Sequence, residues 1–199
     1  MPKLGMEPIR RAALIDATIA EIGAVGSLDV TVSRIARRAG MSSGLAHHYF
    51  GGKEDILLAA MRHVLRIYGQ EVLKGLRAAA RPVDRVTAIV QGSFAPSNFR
   101  ADTVAAWLNF YVLALSSDEA RRLHAVYRRR LLSNLTHALR PVAGHQAAAL
   151  AARTAALIDG LYLDHGLANR EPDGASATAQ VLDMLADATG RAEWSRKTT

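Results

Sequence analysis

Cysteine is absent from the sequence. That excludes disulfides, zinc–thiolate centres and thiol catalysis, and it fits a reducing compartment. Aromatic residues make up only 6% of the chain, so each one is worth placing. Long apolar runs are also missing. The densest, AAWLNFYVLAL at 105–115, contains Asn109 and falls well short of the roughly 20 residues that span a bilayer. Glu7, Arg10, Arg11 and Asp16 interrupt any apolar core of a secretory signal. The expectation is a cytoplasmic protein without a membrane segment. The seven histidines include no i, i+4 pair and no E-x-x-H spacing, so neither a hydrolytic metal site nor a cofactor is expected. No stretch sustains period-two alternation and no internal repeat is evident, which points to an all-α fold. Acidic side chains are in deficit: 18 Asp and Glu face 25 Lys and Arg, a formal charge of +7. Such a surplus favours an acidic polymer as partner, and charge alone leaves nucleic acid and a membrane surface both open.

What is present is concentrated first in residues 31–50, TVSRIARRAGMSSGLAHHYF. Val32, Ile35, Ala36 and Ala39 fall at i, i+3, i+4 and i+7, the apolar stripe of a short helix. Thr31 is placed to cap its start, and Gly40 follows its last periodic residue. Ser42 is placed to cap a second short helix, on which Leu45 and Tyr49 form an i, i+4 apolar pair. Arg34, Arg37 and Arg38 lie opposite the apolar stripe, so their charges are expected to be free for a partner. Helix, tight turn, helix with an arginine edge is the device that places one helix in a DNA major groove. It is also what an ordinary helical hairpin with a solvated basic face would show. Gly40-Met41-Ser42-Ser43-Gly44 matches the hydrolase pattern G-x-S-x-G. That chemistry needs a strand before the serine, and the residues before Ser42 read as helix.

Thr31, Ile35-Ala36, Ala39-Gly40-Met41-Ser42, Gly44 and His48-Tyr49-Phe50 with Lys53 resemble the DNA-binding signature of the TetR family of repressors. The opening MPKLGMEPIRR, RRLLSNL at 129–135 and LIDGL at 157–161 are similar to the choline-responsive branch of that family, the repressors of glycine betaine synthesis. The resemblance implies a homodimer that binds double-stranded DNA at an inverted-repeat operator. It implies that the second helix of the motif reads the groove, through Ser43, Gly44, Leu45, Ala46 and His47. Thr31, Arg34, Ser42, His48 and Tyr49 would flank that reader, and Lys53 would approach a phosphate. Position 47 is commonly tyrosine in the wider family and position 46 is usually bulkier than alanine, so the operator sequence stays open. Lys3, Arg10 and Arg11 are further candidates for phosphate contact, or simply solvated charges.

The division expected is a helix-turn-helix domain at 1–52 and a ligand-binding and dimerisation domain at 53–199, with about nine helices in all. A first helix begins near Pro8 and closes at Gly23 and Gly26. Gly51 and Gly52 suggest a loose hinge before a long helix that carries Leu57, Met61, Val64, Leu65, Tyr68 and Val72 and stops at Arg81-Pro82. Residues 83–100 look less regular. Helices then follow through Val104–Leu115, from Asp118 towards Pro141, over 146–168 and over about 176–188, with a frayed polar tail. Arg121, Arg122, Arg128, Arg129 and Arg130 read as a solvated face. By resemblance, residues 146–188 are the candidate dimer interface; by periodicity alone they are equally the core of a monomer.

Trp107, Phe110 and Tyr111 lie at i, i+3 and i+4 and share a helix face. Asp159 sits inside the apolar LIDGLYL, with Tyr162 three residues on. A buried carboxylate is costly unless paired or protonated. Aromatic faces with a nearby carboxylate suit a quaternary ammonium, which has no hydrogen to donate. The resemblance therefore implies choline, or a related quaternary ammonium, at Trp107, Phe110, Tyr111, Asp159 and Tyr162. Tyr127, Asp164 and His165 are secondary candidates, and Asp159 has an alternative partner in Arg153 or an interface arginine. Three other readings stay open: a TetR-type sensor of a different hydrophobic or cationic ligand, an all-α enzyme, and an interaction protein without a DNA role.

Overall fold

The computed structural model describes residues 5–168, 171–191 and 193–194. Among these it forms nine α-helices and one short 3-10 turn, with no strand. Helix α1, Met6–Val25, buries Leu14, Thr18, Ile19 and Ile22 and ends at Gly26, whose φ of 71° suits a left-handed C-cap. Helix α2, Val32–Arg38, begins at Thr31, whose hydroxyl accepts the Arg34 N–H at 3.2 Å. Helix α3, Ser43–Phe50, begins at Ser42, whose hydroxyl accepts the Leu45 N–H at 3.2 Å. Both caps are the ones the side-chain chemistry predicts.

Helix α4, Lys53–Ala78, is 26 residues long. At 1.5 Å per residue it runs about 39 Å, from the edge of the reader to the far side of the body. Its start is not the loose hinge expected from two glycines. Gly51 takes a φ of 72°, and the Gly52 N–H is held by Asp55 Oδ2 at 3.1 Å, so the junction is capped.

Residues 82–93 are also more ordered than expected: they form α5, Pro82–Ser93, with Val83, Val86, Ile89 and Val90 buried. Its β-branched residues lower helix propensity, and burial against α4 overrides it. Gly75 and Gly92 mark where these two helices approach closely, because a Cβ at either would fall 2.9 or 2.7 Å from Ala88 or Val72. Helices α6, Ala101–Ser116, and α7, Asp118–Ala143, follow. Pro141 is tolerated in the last turn of α7. Helix α8, Ala147–Leu167, lies along α7, and α9, Gly174–Thr189, packs on α8 and α5. Of the tail expected to fray, residues 195–199 lie outside the described residues. Trp194 is buried and its indole N–H reaches the Val83 carbonyl at 3.4 Å. No helix among the described residues is long and apolar enough to cross a membrane.

Candidate functional site

The helix-turn-helix is held by two side chains of α1. Glu21 of α1 is almost fully buried and binds Arg38 Nε at 2.6 Å and Arg34 Nη2 at 3.0 Å. The hydrogen bond from Arg38 leads in holding its pKa below the ordinary 4.5. Arg34 and Arg38 are thus not free charges; they tie α2 to α1. Arg11 is likewise engaged within the protein. It donates to the Tyr49 carbonyl at 2.5 Å and stacks over Phe50 at 4.4 Å. Lys3 lies outside the described residues.

On α3 the buried pair is Ala46 and Phe50 rather than Leu45 and Tyr49, which are half-buried. Ala46 is fully buried, so its side chain does not face a base edge. An alanine there lets α3 sit close on its neighbours. Ser43 is hydroxyl-to-hydroxyl with Ser33 at 2.7 Å, which ties α2 to α3 directly. Gly44, His47 and His48 are exposed, as are Thr31, Ser42 and, at the start of α4, Lys53. His47 Nδ1 lies 2.7 Å from the Gly51 carbonyl. A carbonyl only accepts, so Nδ1 carries the proton and Nε2 is left for another partner. The exposed face of α3 thus offers Gly44, His47 and His48, with Arg37 at the end of α2 and Lys53 at the start of α4 also exposed, and a single helix is of the size that enters a major groove.

The second region lies in the helical body. Trp107 and Phe110 are buried and Tyr111 is half-buried. Trp107 is the hub: its ring centroid is 4.8 Å from Tyr127, 5.8 Å from Tyr111 and 6.0 Å from both Phe110 and Tyr162. Tyr127 passes the contact to Tyr68 at 5.6 Å, and His124 closes on Tyr111 at 5.5 Å. Tyr162 does not pair with Asp159. Its hydroxyl donates to the Ser93 carbonyl at 2.6 Å and accepts from Asn98 Nδ2 at 2.8 Å.

Asp159 instead accepts from the Tyr111 hydroxyl at 3.0 Å and binds Arg128 Nη1 at 2.5 Å. Arg128 thus leaves the solvated face that the sequence suggests, and it is Arg128, not Arg153, that pairs with Asp159 across α7 and α8. Burial pushes the Asp159 carboxyl above its ordinary 3.8, against the pull of Tyr111 and Arg128. Burial also raises the Tyr127 and Tyr162 phenols well above 10 and lowers His124. Trp107 Nε1, Tyr68 Oη and Asn98 Oδ1 are buried without a hydrogen-bond partner. Unpaired polar atoms at one aromatic cluster are costly, and a polar ligand atom would relieve them. His165, a secondary candidate, is structural: it packs on Phe99 and accepts the Asp173 N–H.

Two clefts open beside this cluster. One of about 640 Å³ lies between α4 and α7, has an apolar wall that includes Leu65, Val72 and Leu123, and touches the cluster through Tyr68 and Tyr127. The other, about 1120 Å³, lies between α4, α5 and α9 and is lined by charges of both signs, among them Lys74, Arg100 and Asp183.

The aromatic helix and the reader are also joined. Asp102 and Asn109 lie seven apart on the face of α6 opposite Trp107. Asn109 Nδ2 donates to the Gly26 carbonyl at 3.3 Å. Gly23 lies so close to Asp102 that an added Cβ would fall 2.6 Å from its Cβ and 2.7 Å from its Cα. The same α1 carries Glu21. One face of α6 thus packs the rings while the other touches the helix that holds α2.

A basic helix-turn-helix set on an all-helical body with a buried aromatic cluster is the build of a ligand-responsive DNA-binding regulator. Comparison with known proteins makes this specific. Residues 14–60 match the family of bacterial regulatory proteins, tetR family, and residues 82–190 match the BetI-type transcriptional repressor C-terminal domain. The HTH-type transcriptional regulators BetI of Brucella melitensis biotype 2 and of Agrobacterium fabrum are each 50% identical to the chain. The first alignment covers 94% of both chains; the second covers 93% of this chain and 90% of its relative. In fold, a transcriptional regulator from Saccharomonospora viridis solved in complex with choline superposes with a TM-score of 0.78 at 22% identity, over 88% of this chain and 94% of that one. A regulator from Pseudomonas aeruginosa PAO1 superposes with a TM-score of 0.73 at 24% identity, over 96% and 94%. The chain belongs to the TetR family of transcriptional regulators, and within it to the BetI-type repressors. These are DNA-binding proteins and not enzymes, so Ser42 is a helix cap and not a nucleophile.

Proposed function

We propose that this chain is a homodimeric repressor of the genes that convert choline to glycine betaine, and that choline or a related quaternary ammonium sets its grip on an inverted-repeat operator. The observation that carries the ligand is the ring cluster around Trp107, with Asp159 on its edge and unpaired Trp107 Nε1 and Tyr68 Oη inside it. Aromatic faces supply the cation attraction, worth roughly 0.5–2 kcal/mol per contact, and an orphan donor is available for the choline hydroxyl. Half identity to BetI regulators and the choline complex of a protein with the same fold support the reading.

On the DNA side, Ser43, Gly44 and His47 read base edges, while His48, Tyr49 and Lys53 lie beside the backbone. Two such readers, paired through α8 and α9, enter successive major grooves about 34–36 Å apart. The division into a reader at 1–52 and a sensing and pairing body at 53–199 follows from these roles. Ligand among the rings shifts α6, and α6 acts on α1 at Gly23 and Gly26. Because Glu21 fastens α2 to α1, the spacing of the two readers changes with it. A ligand shifts that equilibrium only by its different affinity for the two spacings.

The test is choline titrated into the full-length protein by calorimetry, alone and with Trp107→Phe. Binding that weakens in the variant supports the reading. The α4–α7 cleft favours a second reading, a sensor of a larger hydrophobic ligand, because choline fills only part of its 640 Å³. Absence of heat with choline, together with a thermal shift from a bulkier apolar cation, selects that alternative.

A further inference from the structure

We infer that Arg128 is a tethered competitor for the ligand's cation: it holds Asp159 until a quaternary ammonium displaces it, and so sets the concentration at which the protein responds. The inference rests on the reading that the Trp107 cluster receives that cation. Both carboxylate oxygens of Asp159 are engaged, one by the Tyr111 hydroxyl at 3.0 Å and the other by Arg128 Nη1 at 2.5 Å. Arg129 and Arg130, the next residues on α7, are exposed; Arg128 turns inward, its side chain 32% exposed, to reach α8. The neighbouring titratable groups are Tyr111, His124, Tyr68, Tyr127 and Tyr162, and none is a second carboxylate.

The consequence is electrostatic. A carboxylate paired with a guanidinium has no net charge, and a quaternary ammonium has no hydrogen with which to compete for its lone pairs. Approaching the intact pair, the ligand meets attraction and repulsion at similar range. With Arg128 swung away, it meets a full negative charge beside the Tyr111 and Trp107 rings. Arg128 competes from the same molecule, at an effective concentration no free ion matches. Apparent affinity falls by the fraction of time that Asp159 is free, so a pair formed 90–99% of the time weakens binding roughly 10- to 100-fold.

The experiment is calorimetric titration of choline, and separately of trimethylglycine, into full-length wild type, R128Q, R128K and D159N, each first checked for a cooperative thermal transition. R128Q is expected to bind choline roughly 10- to 100-fold more tightly than wild type. R128K keeps a charge but loses the guanidinium fork, and is expected to gain about threefold. That gain carries the test if R128Q does not fold. D159N is expected to lose choline binding. Binding by R128Q where wild type shows none supports the inference as well. Wild-type binding left unchanged or weakened in R128Q and R128K overturns it while leaving the cation site in place. Loss of trimethylglycine binding in R128Q without a gain for choline also overturns it, since Arg128 would then hold a ligand carboxylate. Choline binding by none of the proteins overturns both this inference and the choline reading.

Discussion

Gly23→Ala adds one methyl group where two helices meet. Its Cβ would lie 2.6 and 2.7 Å from the Cβ and Cα of Asp102. Carbon atoms rest at about 3.5–4.0 Å, so α1 and α6 have to part by about 1 Å. Overpacking of this kind costs roughly 1–3 kcal/mol, and alanine returns about 1 kcal/mol of helix propensity over glycine. The net is a loss of about 1 kcal/mol, which for a chain of this length lowers the Tm by about 2–4 °C. The larger consequence is for coupling. With the joint opened, the effect of choline on operator affinity should shrink. Gly144→Ala, at the end of α7, is the control: its φ of 54° penalises alanine, yet nothing lies within 4 Å of the added Cβ. It should lower the Tm while leaving the response to choline intact. Thermal melts and fluorescence anisotropy on a labelled operator duplex, with and without choline, read both quantities. A Gly23→Ala protein with an unchanged Tm and an unchanged ratio of operator affinities would refute the idea that this contact transmits the signal.

The phenols of Tyr68, Tyr111, Tyr127 and Tyr162 are all raised by burial, Tyr68 to about 12. Above pH 10 the unfolded chain therefore loses protons that the folded one keeps. Stability should fall by up to about 5 kcal/mol per pH unit between about pH 10 and 12, seen in urea melts and tyrosinate absorbance. Glu21 works in the opposite direction: its pKa is depressed, so its contribution is present above 4.5 and disappears as pH falls through the lowered value. Glu21→Gln should cost about 1 kcal/mol near neutral pH, the arginines being half-exposed, and should flatten the acid limb of the stability curve. Lys53→Ala should weaken operator and unrelated DNA alike and reduce the salt slope of log K by about one, measured by anisotropy across a potassium chloride series.

How much of this was legible in the sequence depended on range. Thr31, Gly40 and Ser42 act within a turn of their own position, so their residue types betrayed the helix-turn-helix: both hydroxyls cap, and Gly40 takes a φ of 68°. The stripe Trp107, Phe110 and Tyr111 and the lone carboxylate in LIDGLYL were visible for the same reason. The partners were not. Glu21 meets Arg38 across 17 residues, and Asp159 meets Arg128 across 31. Nothing local separates Arg128 from the other arginines of its helix. Ala46 faces inward although Leu45 and Tyr49 are larger, because close packing of α3 on its neighbours selects the small residue. Helix α5 was missed because burial, not propensity, makes it a helix. Tyr68 looked like ordinary core on a long periodic helix and Tyr127 was only a secondary candidate; the contact of Tyr127 with both Tyr68 and Trp107 is what brings the two into the cluster.

The central claim is that a small quaternary ammonium held in the body changes the reader's hold on DNA. The most direct measurement is anisotropy of a labelled duplex carrying the operator, titrated with the protein at zero and at saturating choline. The prediction is a saturable fall in affinity of roughly 5- to 150-fold, the span of a 1–3 kcal/mol coupling, which largely disappears in Trp107→Phe. Equal affinities at both choline concentrations, with choline shown to be bound, would contradict it.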